Sequence, residues 1–237
     1  MWKEKGKIVI EVPSGHSTAN SYINSAEKEY DEGNYYSALN NYLKVEEIYS
    51  TMNYHDDSQM KALNNTIGRC YRQLNEYYKA KEYFEKSLSI SEKISDDELS
   101  FDNYTYLIGI ECSIEKGSLE TALDYGKKAE IIAIKLYGNK SSELSEVYSD
   151  FSNIYLNMED YETSDNYLKK ALNITNDLYG ENSEDSAIIY KDLADLYKKQ
   201  KQFDSAESYL EKAAEGMRTL SQINQYIRRR LYGTDTD

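Results

Sequence analysis

Tyr35-Tyr36-Ser37-Ala38, Tyr77-Tyr78-Lys79-Ala80, Leu119-Glu120-Thr121-Ala122, Tyr161-Glu162-Thr163-Ser164 and Phe203-Asp204-Ser205-Ala206 decide the fold of this chain. Each stretch sets a small residue three places after a large apolar one, and successive stretches begin 42 residues apart. A fixed period of this length means stacked supersecondary units, because one unit cannot bury its apolar face alone and its neighbours complete the core. An array of this kind inclines function toward binding.

Each unit reads as two helices. Residues 60–74 carry Leu63, Ile67 and Tyr71 at four-residue spacing, and residues 77–94 carry Ala80, Phe84, Ser87 and Leu88 on one face, with Asn75 between them. The break recurs at Gly33, Asn75, Gly117, Glu159 and Lys201, where a left-handed residue is expected; the first three types tolerate that backbone best. Leu136-Tyr137-Gly138 and Leu178-Tyr179-Gly180 are one period apart and predict glycine stops. Ser141 and Ser183 are the N-cap candidates that follow, each with an acid in the next turn.

The ends depart from the period. Ile8, Ile10 and Val12 alternate with Val9 and Glu11 before Pro13-Ser14-Gly15, which predicts a short extended arm and then a turn. Spacing through Ile223, Tyr226, Ile227 and Leu231 predicts a capping helix. The expected organisation is an arm over residues 1–18, five tandem repeats over 19–220, and a capping helix with a tail over 221–237. The fold class is all-α, a right-handed α-solenoid of helical hairpins.

Composition narrows the function. The formal net charge is −14, a field that repels phosphate backbones and anionic lipid, so neither nucleic acid nor membrane is an expected partner. No run approaches the ~18 apolar residues of a membrane span, and no signal-peptide core follows Met1, so the expected location is cytoplasmic. Cys70 and Cys112 stand one period apart and read as structural thiols. The two histidines, His16 and His55, have neither metal-ligand nor nucleophile-base spacing, and no glycine-rich phosphate loop occurs. We therefore expect no enzyme activity, no cofactor and no metal. The run Arg228-Arg229-Arg230 reads as complementing a helix dipole.

These residues resemble the tetratricopeptide repeat, which places a small residue and an aromatic in its first helix, then an aromatic, an alanine and another aromatic in its second. Gly68, Tyr71, Tyr77, Ala80 and Phe84 match in repeat two, and Ala194, Tyr197, Phe203 and Ala206 in repeat five, where Leu210 replaces the last aromatic. The 42-residue period, Lys61-Ala62-Leu63-Asn64-Asn65 and Asp192-Leu193-Ala194-Asp195-Leu196-Tyr197 are similar to the kinesin light chain subtype. The resemblance spans about residues 19 to 214 and concerns the scaffold, so a motor role does not follow. Repeat three departs most, with Ser113 and Gly126 at aromatic places.

The resemblance implies a groove lined by first helices. Carried over by register, its places hold Asn65, Arg69 and Arg72; Tyr104, Leu107, Glu111 and Ile114; Ser149, Asn153 and Leu156; and Lys191, Asp195 and Lys198. Amides there would bond an extended main chain, arginines would hold a carboxylate, and Leu107 with Ile114 would anchor an apolar side chain. Either arginine can equally pair with an acid of the chain, such as Glu29 or Glu111. The expected partner is a protein or peptide segment, acidic with an aromatic or aliphatic anchor. The alternative is a regulatory sensor module whose effector domain lies outside this chain. The 25 tyrosines allow a third reading, self-assembly through an aromatic outer face. The N-terminal arm is also a plausible plug for the groove.

Overall fold

The computed structural model describes residues 14–52 and 56–232. Among the described residues are ten helices and no strand: α1 (Ser14–Asp31), α2 (Tyr35–Thr51), α3 (Asp57–Gln73), α4 (Tyr77–Lys93), α5 (Asp97–Ser113), α6 (Leu119–Tyr137), α7 (Ser142–Asn157), α8 (Tyr161–Tyr179), α9 (Glu184–Lys199) and α10 (Phe203–Tyr232). They form two compact units that divide after Asp96, two hairpins in the first and three in the second. Within each hairpin the odd-numbered helix packs on the even-numbered helix that follows.

The period fixes where helices begin. All five second helices start at the large apolar residue of the repeated stretch, at 35, 77, 119, 161 and 203. The small residue three places on is buried in every hairpin, with Ala38, Ala80, Ala122 and Ser164 fully so. A small side chain there lets two helix backbones approach closely, since interaxial distance follows side-chain size. The neighbouring Tyr36 and Tyr78 point outward, 70% and 60% exposed. The first unit's core gathers Val45, Tyr49, Ile67 and Cys70; the second has a cluster of Leu168, Tyr190, Leu193 and Leu196.

The stops follow local chemistry. Gly138 and Gly180 end α6 and α8 with φ of 88° and 92°. Ser141 and Ser183 cap α7 and α9 by accepting from the Leu144 and Ser186 amides at 3.2 and 3.1 Å. Gly33, Asn75, Glu159 and Lys201 all adopt positive φ, so the turn geometry overrides residue preference at the last two.

Gly117 departs from that expectation. It is absent from the left-handed residues, and an added Cβ would lie 1.8 Å from the Glu111 carbonyl oxygen. Close backbone approach, not a left-handed φ, demands glycine there. In the same repeat a Cβ on Gly126 would meet the Phe151 ring at 2.8 Å, so an aromatic from α7 occupies the space that a second-helix side chain would need.

Both ends differ from the sequence reading. α1 already begins at Ser14, where a turn closing the arm was expected; the alternating residues 8–12 lie outside the described residues. α10 runs unbroken from Phe203 to Tyr232, so the expected capping segment continues the second helix of repeat five without a new start at 221. Helical spacing persists there without a breaking residue.

Candidate functional site

First helices carry the polar positions, and register decides which of them meet. In the first unit a pocket of about 650 Å³ lies among α1, α2 and α3, with Glu27, Tyr30, Thr66 and Arg69 on first helices and Tyr42 and Tyr49 from α2. The Arg69 guanidinium carbon sits 4.9 Å from the Tyr30 ring centroid, a cation–π arrangement. Tyr49 donates to Gln59 Oε1 at 2.8 Å. Burial pushes the Tyr42 phenol up strongly, the Cys70 and Glu27 charges add to this, and Arg69 opposes it, so Tyr42 remains a neutral wall.

In the second unit a pocket of about 340 Å³ is lined by Ser149, Asp150, Asn153 and Leu156 of α7, Leu168 of α8, and Asp192 and Asp195 of α9. Thr66 and Arg69 in the first pocket, Asp150 and Asn153 in the second, and Asp192 with Asp195 occupy the same pair of register places, offset by multiples of 42. The two pockets are thus built from one structural position carrying different chemistry.

The sequence-derived residues fare unequally. Arg69 lines the first pocket, and Asn153 and Asp195 are brought together in the second. Asn65 is buried at 8% exposure, Arg72 and Ile114 are half-buried, and Lys191 is exposed beside the second pocket, where its charge lowers the pKa of Asp192. Tyr104, Leu107 and Glu111 are buried to 2% exposure or less. Leu107, expected as an apolar anchor, is packed inside the core in this arrangement. Glu111 instead accepts from the Ser118 amide at 2.8 Å and organises the turn into α6. Glu29, considered as an arginine partner, accepts from Asn41 at 2.9 Å.

Sequence reasoning missed Asp150, Asp192 and Tyr49. The signal for the two aspartates was available: they are one period apart and three residues before Asn153 and Asp195, on one helix face. Tyr49 carries no such mark, because it reaches the pocket from a second helix. Among the described residues no group of His, Cys, Asp or Glu is arranged to hold a metal ion. His16 lies near Tyr49, with ring centroids 6.3 Å apart, and His55 is outside the described residues. No described helix is long and apolar enough to cross a membrane.

Paired helices, a 42-residue step and polar first-helix faces define an all-α helical-repeat protein. Tetratricopeptide-repeat models match residues 143–219 and 62–94. Over those stretches the chain matches the tetratricopeptide repeat. No curated protein matches it. Among solved structures it is similar to BtubC (BKLC) from P. vanneervenii, with 18% identity over 88% of this chain and 90% of that one and a TM-score of 0.70. It is also similar to the nearly identical TPR-like repeats of a candidate kinesin light chain from Podosopora anserina, with 15% identity, coverage of 86% and 97%, and a TM-score of 0.69. A third is the Rap conjugation gene regulator of plasmid pLS20 in complex with a Phr peptide, with 16% identity, coverage of 99% of this chain and 65% of that one, and a TM-score of 0.63. At these identities the likeness is one of fold.

Proposed function

We propose that the chain is a non-enzymatic, cytoplasmic protein-interaction module whose first helices hold a segment of a partner protein. The observation that carries this reading is the first unit's pocket of about 650 Å³, where Arg69, Tyr30, Gln59 and Thr66 offer charge, an aromatic face and hydrogen bonds together. Mixed walls of this kind suit an extended segment: polar groups bond its main chain and fix orientation, and rings cover its side chains. Arg69 is the residue expected to meet an acidic or carboxyl group of the segment.

The test is affinity capture from the source cell with the full chain, followed by titration of the recovered segment as a synthetic peptide. Arg69→Glu should weaken that peptide at least tenfold, about 1.4 kcal/mol, while the exposed control Lys127→Glu should leave it unchanged. Equal affinity in all three proteins would remove this pocket from the account.

A sensor module is the second reading, favoured by the Phr peptide on the Rap neighbour, of which this chain spans 65%. It predicts that peptide binding changes association with a separate effector protein. Capture with and without the peptide separates the two readings.

A further inference from the structure

Asp150 on α7 and Asp192 on α9 occupy one register place on successive first helices, and Asn153 and Asp195 occupy the place three residues on. All four line the 340 Å³ pocket of the second unit, with Leu156 and Leu168 as its apolar wall. No lysine or arginine is among its lining residues.

Asp150 sets this pocket apart from a merely acidic surface. Its Oδ2 is buried, with under 1 Å² of accessible surface, and no described residue bonds to it. Neighbouring buried polar groups are answered from within the fold: Ser145 bonds the Ala171 carbonyl and the Thr175 hydroxyl, and Ser152 and Ser164 bond one another. Leaving a buried acceptor unpaired costs on the order of 1–3 kcal/mol, and more when it is charged. Burial, then the Glu146 charge, drives the Asp150 carboxyl well above the usual carboxylate range. Asp192 keeps much of its surface exposed, yet burial on the pocket side and the Asp195 charge raise it to about 6, with Lys191 opposing. Two carboxyl groups of this pocket, Asp150 and Asp192, are therefore held against desolvation and against the charge of a neighbouring acid, Glu146 for the first and Asp195 for the second.

We propose that this pocket is a binding site for the cationic end of an arginine or lysine side chain carried on a partner's extended segment. The proposal rests on the reading that first helices hold such a segment, and it names the chemistry that the second unit selects. A guanidinium supplies five in-plane donors, enough for the Asp192 and Asp195 carboxylates and the Asn153 amide oxygen. Its positive charge favours ionisation of Asp150 behind them, opposing the burial that otherwise keeps that carboxyl protonated. The methylene stem lies along Leu156 and Leu168, as long basic side chains do on apolar surface. Arginine is preferred over lysine, because its fork is planar and its charge more weakly hydrated. The expected partner thus carries a basic residue for this pocket, whereas the sequence alone led to an acidic segment.

The test is an NMR titration of the isotopically labelled full chain with three probes: N-acetyl-arginine amide, N-acetyl-glutamine amide and the blocked tripeptide Leu-Arg-Leu. Expected are saturable shifts centred on Ser149, Asn153, Asp192 and Asp195 with the arginine amide, none with the glutamine amide, and tighter binding of the tripeptide. Asp150→Asn keeps the shape and removes the group that ionises against the bound cation, and it should weaken the arginine probe at least tenfold. Asp195→Asn, at an exposed position, should weaken it as well and serves if the Asp150 variant does not fold. Shifts equal for arginine and glutamine amides, shifts scattered over other acidic helices, or affinities unchanged in a folded variant overturn the proposal. Equal affinity for the amide and the tripeptide overturns the segment and leaves a site for a free cation. The probes need no natural partner, so failure here is distinct from failure to capture a segment through Arg69.

Discussion

The hydroxyls of Ser152 and Ser164 lie 2.7 Å apart in the second unit, and both residues are buried. Ser164 donates to the Ser152 carbonyl at 3.0 Å, so the proton between the two hydroxyls comes from Ser152. Ser164 is the polar member of a repeat column that is otherwise alanine. Ser164→Ala strands the Ser152 donor and should destabilise by about 1–2 kcal/mol. The double variant Ser152→Ala, Ser164→Ala should cost less than the two single changes together. Urea denaturation of the four proteins measures this coupling, and strict additivity would show that the pair does not interact.

Gly117 and Gly33 occupy corresponding turns for different reasons, and alanine separates them. At Gly33 the φ is 79° with open space around a new Cβ, so Gly33→Ala should cost about 1–2 kcal/mol of backbone strain. At Gly117 the new carbon meets backbone, so Gly117→Ala should cost at least that much and require the α5–α6 turn to move. Thermal melts should rank Gly117→Ala below Gly33→Ala. The reverse order would contradict the close-approach explanation.

Glu111 is a structural group. Glu111→Ala removes the acceptor of the Ser118 amide and should cost about 1.5–3 kcal/mol, the range for a hydrogen bond to a charged group. Glu111→Gln retains a neutral acceptor and should cost less. Chemical denaturation distinguishes them, and affinity for a captured segment should not change in either folded variant.

Asp192 imposes a pH dependence whose sign is fixed by its raised folded-state pKa. Its carboxyl titrates at about 6, above the ordinary 3.8, so the folded state binds more protons than the unfolded state between those values. Stability therefore falls as pH rises from about 4 through about 6 and levels off above. Asp192→Asn should flatten that part of the profile, and carboxyl NMR should find the wild-type group half-titrated near pH 6. A midpoint near 4 would contradict its placement in the pocket.

The thiols should be inert in the native state. Burial raises Cys70 to about 12 and Cys112 to about 11, and both are free. An alkylating reagent at pH 8 should label neither until denaturant is added, because the thiolate is the reactive form. Rapid native labelling of Cys70 would show that its helix opens locally.

The sequence by itself determined the helices. A 42-residue recurrence of a large apolar residue and a small one sets where every second helix starts, and the capping serines and left-handed breaks are encoded within a few residues of the turns they make. These are local effects, carried by side-chain size, backbone freedom and short-range hydrogen bonds. Only the tertiary structure decided which polar residues meet. Register placed Asn153 and Asp195 correctly on first helices, but it gave Leu107 and Glu111 the same status, although packing buries both. Burial depends on what crosses a helix from residues distant in the chain, as Phe151 does at Gly126 and Leu168 does beside Asp150 and Asp192. A periodic sequence states the position of a side chain on its own helix, and the desolvation that gives that side chain its chemistry comes from the neighbours.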